Sequence, residues 1–388
     1  MSTLKVTNIE SPSGGGVNAK ITDINGGQLS NRNLIINGAM NIAQRSTSSV
    51  TVSNGSNEGY STLDRWYLNF NDSIGGAVSF TQSSDSPAGF ANSAKITCST
   101  TDTSFSGNQY VALNQRIEAQ NLQMLSYGSS DAVSMKLSWY MKTTTYTGPI
   151  SVALFTEDGT AEYFVVSVTP TTSWARYSVT IPGSTTATIN DDNGRGMYVQ
   201  FVLAGNTSSS IAASSDSTAW STTRAEFRND VGNILSNTSN VFFLTGVQLE
   251  VGDVATAFEH RSYGDELARC KRYCQAFLAD GSEDNYAPLA IGRWHNASAF
   301  QVLIHLPVEM RGLPSIDTGS TTGSATFFCN TSGTLSGTAC TSLGINERAR
   351  NCITLTGTTG DTGQTVGLGT TLYSDDSDTA KLVIEAEL

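Results

Sequence analysis

Charge is scarce in this chain. Only 14% of its 388 residues are Asp, Glu, Lys or Arg, against roughly 25% in an ordinary soluble domain. Ser, Thr, Asn and Gly fill the gap, a composition suited to short strands, turns and neutral polar surfaces. The charge present is acidic, 34 Asp and Glu against 22 Lys and Arg for a net -12, and no Lys/Arg-rich run occurs. A nucleic-acid footprint is therefore not expected. An acidic surface also repels anionic cell-envelope sugars at long range, but salt screens that over about 8 Å, so recognition falls to short-range contacts.

Long apolar runs are also missing. No segment approaches the ~20 apolar residues of a membrane span, and the start Met1-Ser-Thr-Leu-Lys5 lacks a basic region leading into an apolar one. The expectation is a chain neither exported by a signal peptide nor inserted in a membrane. The six cysteines, Cys98, Cys270, Cys274, Cys329, Cys340 and Cys352, form no CxxC pair and read as free and buried in a protein made in a reducing cytosol. Cys270 and Cys274 lie one helical turn apart, yet no His or second Cys pair has the spacing of a metal site. Cys329, Cys340 and Cys352 leave room for a disulfide formed later.

Catalytic signatures are absent as well. The three histidines, His260, His295 and His305, have no GxSxG elbow, Cys nucleophile or HExxH to serve. No glycine loop follows a strand and opens a helix to cradle a phosphate. Glycan cleavage needs two carboxylates about 5 to 9.5 Å apart across a cleft. The candidates are Glu157 with Asp158, Asp191 with Asp192, and Asp375, Asp376 and Asp378. All sit in Gly- or Ser-rich turns, where Asp caps backbone or faces water. The chain does not read as an enzyme and implies no cofactor.

What is present is period-two patterning. Val133, Met135, Leu137, Trp139 and Met141 alternate with Ser134, Lys136, Ser138, Tyr140 and Lys142, the pattern of a half-buried antiparallel strand. Similar runs lie at 152–155, 163–168, 177–181, 197–203 and 241–251, between turns such as Glu157-Asp-Gly159. Many short strands with Gly/Asx turns predict a sandwich or jelly roll. Ser262, with Asp265 three residues on, caps a helix whose stripe is Tyr263, Leu267, Cys270, Cys274 and Phe277. Strands return at Phe300, Val302, Ile304 and Leu306 and at Leu382, Ile384, Ala386 and Leu388, while 319–378 is so rich in Gly, Ser and Thr that it reads as loops. The fold class is mainly β, and the units are an extended segment over 1–36, a jelly roll over 37–260, a linking helix over 261–278 and a small β domain over 279–388.

Particular segments carry a resemblance. Arg32-Asn-Leu-Ile-Ile-Asn-Gly38, Gln44-Arg45-Ser-Thr47, Thr62-Leu-Asp-Arg-Trp66 and the junction from Phe243-Leu-Thr-Gly-Val-Gln-Leu-Glu-Val-Gly252 to Cys274 are similar to bacteriophage tail fibre and receptor-binding proteins. Ser173-Trp-Ala-Arg-Tyr-Ser-Val-Thr-Ile-Pro182 resembles the carbohydrate-binding-module jelly rolls attached to glycosidases. The resemblance implies a homotrimer in the virion tail, assembled in the host cytoplasm. Its residues 1–36 would attach to tail, baseplate or adaptor proteins, and its distal domain to a host surface polysaccharide; the alternatives are a structural virion protein whose jelly roll is only a spacer and a glycosidase-type carbohydrate-binding module. The helical stripe would then line the threefold seam, although it could equally pack on the sandwich. Some related jelly rolls bind Ca²⁺, and the acidic loops could do so here without EF-hand spacing.

Sugar binding needs an aromatic platform with neutral hydrogen-bonding groups at its rim. Tyr286, Arg293, Trp294, His295 and Asn296 lie close together in the distal domain and are the first candidates, with Trp294 as a core residue the competing reading. Tyr140, on an outward strand face, and Trp220, in a Ser/Thr-rich loop, follow. Asp64 and Arg65 stand beside Trp66, which reads as structural.

Overall fold

The computed structural model describes residues 30–277, 286–330, 337–374 and 380–388. Most of the expected attachment segment, and the cluster Asp375, Asp376 and Asp378, lie outside them. From Asn33 the chain already packs on the sandwich: Asn33 Nδ2 donates to Val247 O at 3.1 Å and Leu34 N to Leu249 O at 2.8 Å.

The chain is mainly β, and its larger part is a jelly-roll sandwich of two antiparallel sheets. One sheet runs β1 (Val50–Ser53), β3 (Ala77–Ser83), β4 (Ser93–Thr100), β13 (Val241–Val251), β6 (Met135–Thr144), β9 (Ala175–Ile181). The other runs β2 (Tyr67–Asn71), β5 (Tyr110–Glu118), β10 (Arg195–Gly205), β7 (Ile150–Thr156), β8 (Tyr163–Val168). The alternation read in the sequence of β6 is the cause of this packing. Met135, Leu137, Trp139 and Met141 are fully buried between the sheets with Trp66, Phe80, Phe201 and Phe242, and Lys136, Tyr140 and Lys142 stand outside. Trp139 meets Phe201 edge-on at 5.5 Å, a geometry worth about 0.5–1.5 kcal/mol beyond area burial. Two short strands, β11 (Ala212–Ala213) and β12 (Phe227–Arg228), belong to a segment whose Ile211, Phe227 and Val231 pack on Tyr110, Ala112 and Val202. That segment covers one part of the outer face of the five-stranded sheet; beyond it Tyr198 and Phe155 are 7% and 9% exposed and Arg116 and Tyr163 half-buried.

Helix α1 (Tyr263–Lys271) starts where the capping signal placed it, with Asp265 N donating to Ser262 Oγ at 3.2 Å. It is shorter than the expected 261–278. Cys274–Phe277 is instead strand β14, paired with β22 (Leu382–Glu385) from Cys274↔Glu385 to Phe277↔Leu382, and a backbone amide cannot serve both a helix and a ladder. The expected stripe is therefore not one face. Tyr263 is 65% exposed and Leu267 half-buried, Cys270 and Cys274 are wholly buried within the chain, and Phe277 packs against the distal core. Cys270 and Cys274 cannot line a seam between copies, and burial pushes both thiols up.

The distal part corrects a second expectation. Much of 319–378 is strand. A closed barrel runs β15 (Pro288–Trp294), β16 (Ala299–His305), β20 (Cys352–Thr359), β19 (Gly337–Ala349), β18 (Phe327–Asn330), β21 (Gly369–Ser374). Thr354, Thr356 and Thr358 of β20 alternate away from the core while Ile353 and Leu355 fill the barrel with Phe300, Val302 and Phe327. Gly357 is required there, because a Cβ on it would lie 2.3 Å from Phe300 Cζ. Below the barrel, β14, β22 and β17 (Ser315–Ile316) form a three-stranded sheet, so the strands that enter and leave the distal domain are bonded to each other.

The two parts are joined by buried charge. Arg45, with no exposed side-chain surface, reaches Asp317 and Glu385 at 2.8 Å and Glu387 at 3.1 Å. Arg65, also buried, pairs with Glu387 and lies 3.5 Å from the Tyr273 ring centroid. Burial alone would lower the Arg45 guanidinium, but the surrounding acidic groups hold it well above its ordinary value. Asp64 accepts from Gln44 N at 2.8 Å and is wholly buried, and Trp66 donates Nε1–H to Asn37 O at 3.1 Å. Neither Asp64, Arg65 nor Trp66 is open to a ligand.

Candidate functional site

The first-ranked distal residues do not form a platform. Trp294 is 0% exposed in the barrel core, edge-on to Phe300 at 6.1 Å, and its Nε1–H donates to Asn330 O at 3.3 Å. Strand alternation decides this: the inward position of β15 belongs to Trp294, which leaves Arg293 and His295 outside. Asn296 is spent on its own turn, its Oδ1 accepting from Ser298 N at 2.9 Å and Ala299 N at 2.8 Å. Tyr286 is exposed and meets Tyr373 edge-on at 6.0 Å, with φ +64°. Arg293, His295, Asn296 and Tyr286 thus remain on the surface without the aromatic base that the sequence offered them.

Trp220 is a wedge. It lies edge-on to Tyr127 at 5.8 Å and tilted on Phe164 at 6.0 Å, and its Nε1–H donates to Pro182 O at 2.6 Å. Tyr140 is on the outward face of β6, as read, and packs on Phe90 at 5.3 Å.

The acidic turns hold structure together. Glu157 Oε2 pairs with Arg195 Nε at 2.8 Å, Asp158 accepts from Asn190 N at 3.0 Å, and Asp192 Oδ1 accepts from Gly194 N at 2.7 Å. Among the described residues, no group of three or more His, Cys, Asp or Glu is placed to hold a metal ion. All six cysteines are free, and Cys329 and Cys340 are both buried in the barrel core.

The site the sequence missed is on the outer face of the five-stranded sheet, where Arg116 and Tyr163 are half-buried. Three registers, Arg116↔Tyr198, Tyr198↔Phe155 and Phe155↔Tyr163, put four side chains in one row across β5, β10, β7 and β8. Their neighbours Ile117, Val199, Leu154 and Phe164 point into the sandwich core, so period two turns the row outward. Tyr198 stacks on Phe155 at 4.4 Å with 17° between the planes, and Phe155 meets Tyr163 at 5.7 Å. The Arg116 guanidinium lies 4.2 Å from the Tyr67 centroid and 5.3 Å from that of Tyr198, and Nη1 donates to the Leu388 carbonyl.

A groove of about 420 Å³ opens beside the row, lined by Phe155, Tyr163, Glu157, Arg195, Arg224 and Glu226 among others. Two ion pairs make its rim, Glu157 with Arg195 and Arg224 Nη2 with Glu226 Oε1 at 2.5 Å. Burial pushes the Tyr198 phenol up to about 12 and raises that of Tyr163, so both hydroxyls stay protonated and act as donors and acceptors at neutral pH. Burial alone would lower Arg224, but its hydrogen bond to Glu226 raises it overall. An apolar base with paired, directional polar groups at its edge suits the two-sided chemistry of a sugar ring. Each residue of the row was visible in the sequence; the registers that align them were not.

No family model matches the chain and no curated protein matches it. Among solved structures, it is similar to a CBM4 structure at 17% identity, covering 55% of this chain and 97% of that one, with a TM-score of 0.29. It is also similar to the family 11 carbohydrate-binding module from Clostridium thermocellum in complex with a β-1,3-1,4-mixed-linked tetrasaccharide (14% identity, 55% and 98% covered, TM-score 0.27). The enzymatically active domain structure of bacteriophage CBA120 tailspike protein 4 is a third (12% identity, 52% and 21% covered, TM-score 0.28). At these TM-scores the likenesses carry no weight for what this chain does.

Proposed function

We propose that the chain is a tail fibre or receptor-binding protein of a bacteriophage that holds a host surface glycan across the outer face of its five-stranded sheet. The observation that carries this reading is the Arg116–Tyr198–Phe155–Tyr163 row beside its ion-paired groove. The glycan is assigned to the jelly roll rather than to the distal barrel because Trp294 is committed to the barrel core. The assignment to a virion rests on the likeness of residues 32–274 to tail fibres, with residues 1–36 attaching to a tail, baseplate or adaptor protein.

A homotrimer fits the same reading. Ile291 is 76% and Leu303 47% exposed, and the register Gly292↔Val302 sets them opposite each other on the outside of the barrel. Weak sites then suffice: a glycan contact at about 1 mM is worth only some 4 kcal/mol, and linked sites raise avidity by about 10²–10⁴. A free-standing carbohydrate-binding module of a glycosidase is the alternative, and detection of the chain in purified virions separates the two.

The test is calorimetric titration of the full chain and of Tyr163→Ala with polysaccharide extracted from host envelopes. Tyr163 is the least buried aromatic of the row, and its removal leaves the sandwich core untouched. Binding lost in the variant supports the site; equal binding by both proteins places the glycan elsewhere, and binding by neither removes the adhesin reading.

A further inference from the structure

The opposite, six-stranded sheet carries a different outer face. Register Phe243↔Lys95 and Phe243↔Lys142 place a ring between two ammoniums, with Lys142 Nζ 4.8 Å and Lys95 Nζ 5.8 Å from the ring centroid. Trp174, just before β9, meets Phe243 edge-on at 6.1 Å and lies under Lys142 at 5.4 Å. One register step away, Tyr140↔Arg176 extends the face, with the guanidinium 5.9 Å from the Tyr140 centroid. Phe90, Phe258 and His260 close its edge, Phe90 being 5.0 and 5.1 Å from the other two.

This face is unlike the rest of the molecule. Lys95, Lys136 and Lys142 are three of the chain's seven lysines, in a protein of net charge -12. Asp85 compensates one of them, accepting from Lys142 Nζ at 2.6 Å and from Trp174 Nε1 at 3.0 Å. Lys136 donates to Thr180 Oγ1 at 2.8 Å and Arg176 to Ser138 Oγ at 3.1 Å, both neutral partners. Glu250, opposite Lys136, is buried and accepts from Gln248 and Thr256. Cationic charge therefore exceeds carboxylate on this face. The backbone is shaped for the aromatics: Gly246 has φ +60°, and a Cβ there would lie 2.7 Å from Phe90 and 2.8 Å from Tyr140.

We propose that this outer face is a second binding site, for an acidic polysaccharide of the uronic acid type. Lys95 and Lys142 stand two strands apart, about 10 Å, a span suited to carboxylates on alternate sugars of such a polymer; Phe243 between them is only 6% exposed, and the half-buried Trp174 and Tyr140 beside Lys142 offer the stacking surface. The site gives an acidic chain a local means of holding an acidic envelope sugar that its long-range field repels.

The test is titration of the full chain with oligogalacturonate, a neutral maltooligosaccharide of equal length and oligothymidylate, at low and high salt. Expected is saturable binding of the uronate that weakens with salt, drops about tenfold in Lys95→Gln, the worth of one charge-assisted contact, and is unchanged in Tyr163→Ala. Arg176→Gln, at the other edge of the face, gives an independent loss. Uronate binding that is absent, indifferent to salt, undiminished in both cationic variants or weaker than that of oligothymidylate overturns the site. Loss in Tyr163→Ala instead moves the uronate to the opposite sheet.

Discussion

Arg45 Nε donates to Asp317 Oδ2 at 2.8 Å, with the Arg45 side chain wholly buried and its partner 14% exposed. The contact joins a turn at the start of the jelly roll to the distal domain, 272 residues on. Removing the guanidinium leaves Asp317, Glu385 and Glu387 facing each other in a poorly solvated junction. Arg45→Met is expected to cost about 3–5 kcal/mol and to uncouple the two parts, so that a denaturation curve with one transition becomes two. A single unshifted transition would show the junction to be dispensable.

Acid should loosen a second contact at this junction. Arg272 donates to Glu118 from Nε at 2.7 Å and Nη2 at 2.8 Å. Burial pushes the Glu118 carboxyl up, but the hydrogen bond from Arg272 and its companions more than offset it and hold the group below its ordinary value. A carboxyl depressed in the folded state adds stability that is full above the unfolded pKa, about 4.3, and is lost as pH falls through the folded one. Stability followed from pH 7 to pH 3 should thus fall more steeply for the native chain than for Glu118→Gln, with the gap between them shrinking in acid.

Trp294→Ala should behave as a core deletion. A cost of about 3–5 kcal/mol is expected from the lost burial and the cavity, read as an earlier melt of the barrel, whereas glycan affinity of protein still folded should not change.

Gly246 sits at the irregularity of β13 between Thr245 and Gln248. Gly246→Ala combines a positive φ with a clash against Phe90 and Tyr140 and should cost about 1–3 kcal/mol; a chain melting like the native one would show that the two rings move aside freely.

Much of the fold was legible because it is local. The alternation through Met135–Met141 and the Ser262 cap are written in adjacent residues, and both are realised. The helix end was not legible, because what stops it is a partner strand some 110 residues later in the chain (Cys274↔Glu385, 385 − 274 = 111). The barrel strands were masked by their outward Thr and Ser and by Gly357, which stands at an inward position to make space for Phe300. The candidate site is the extreme case. Arg116, Phe155, Tyr163 and Tyr198 come from four strands, and only the pairing registers bring them into a row, whereas the sequence favoured Trp294 because it clustered with polar neighbours along the chain.

The central claim is the location of the glycan, and hydrogen exchange with and without saturating polysaccharide tests it most directly. Protection is predicted in peptides covering 154–164 and 195–199, with 286–296 unchanged. Protection confined to 286–296, or spread evenly over the chain, would contradict the assignment of the glycan to the five-stranded sheet.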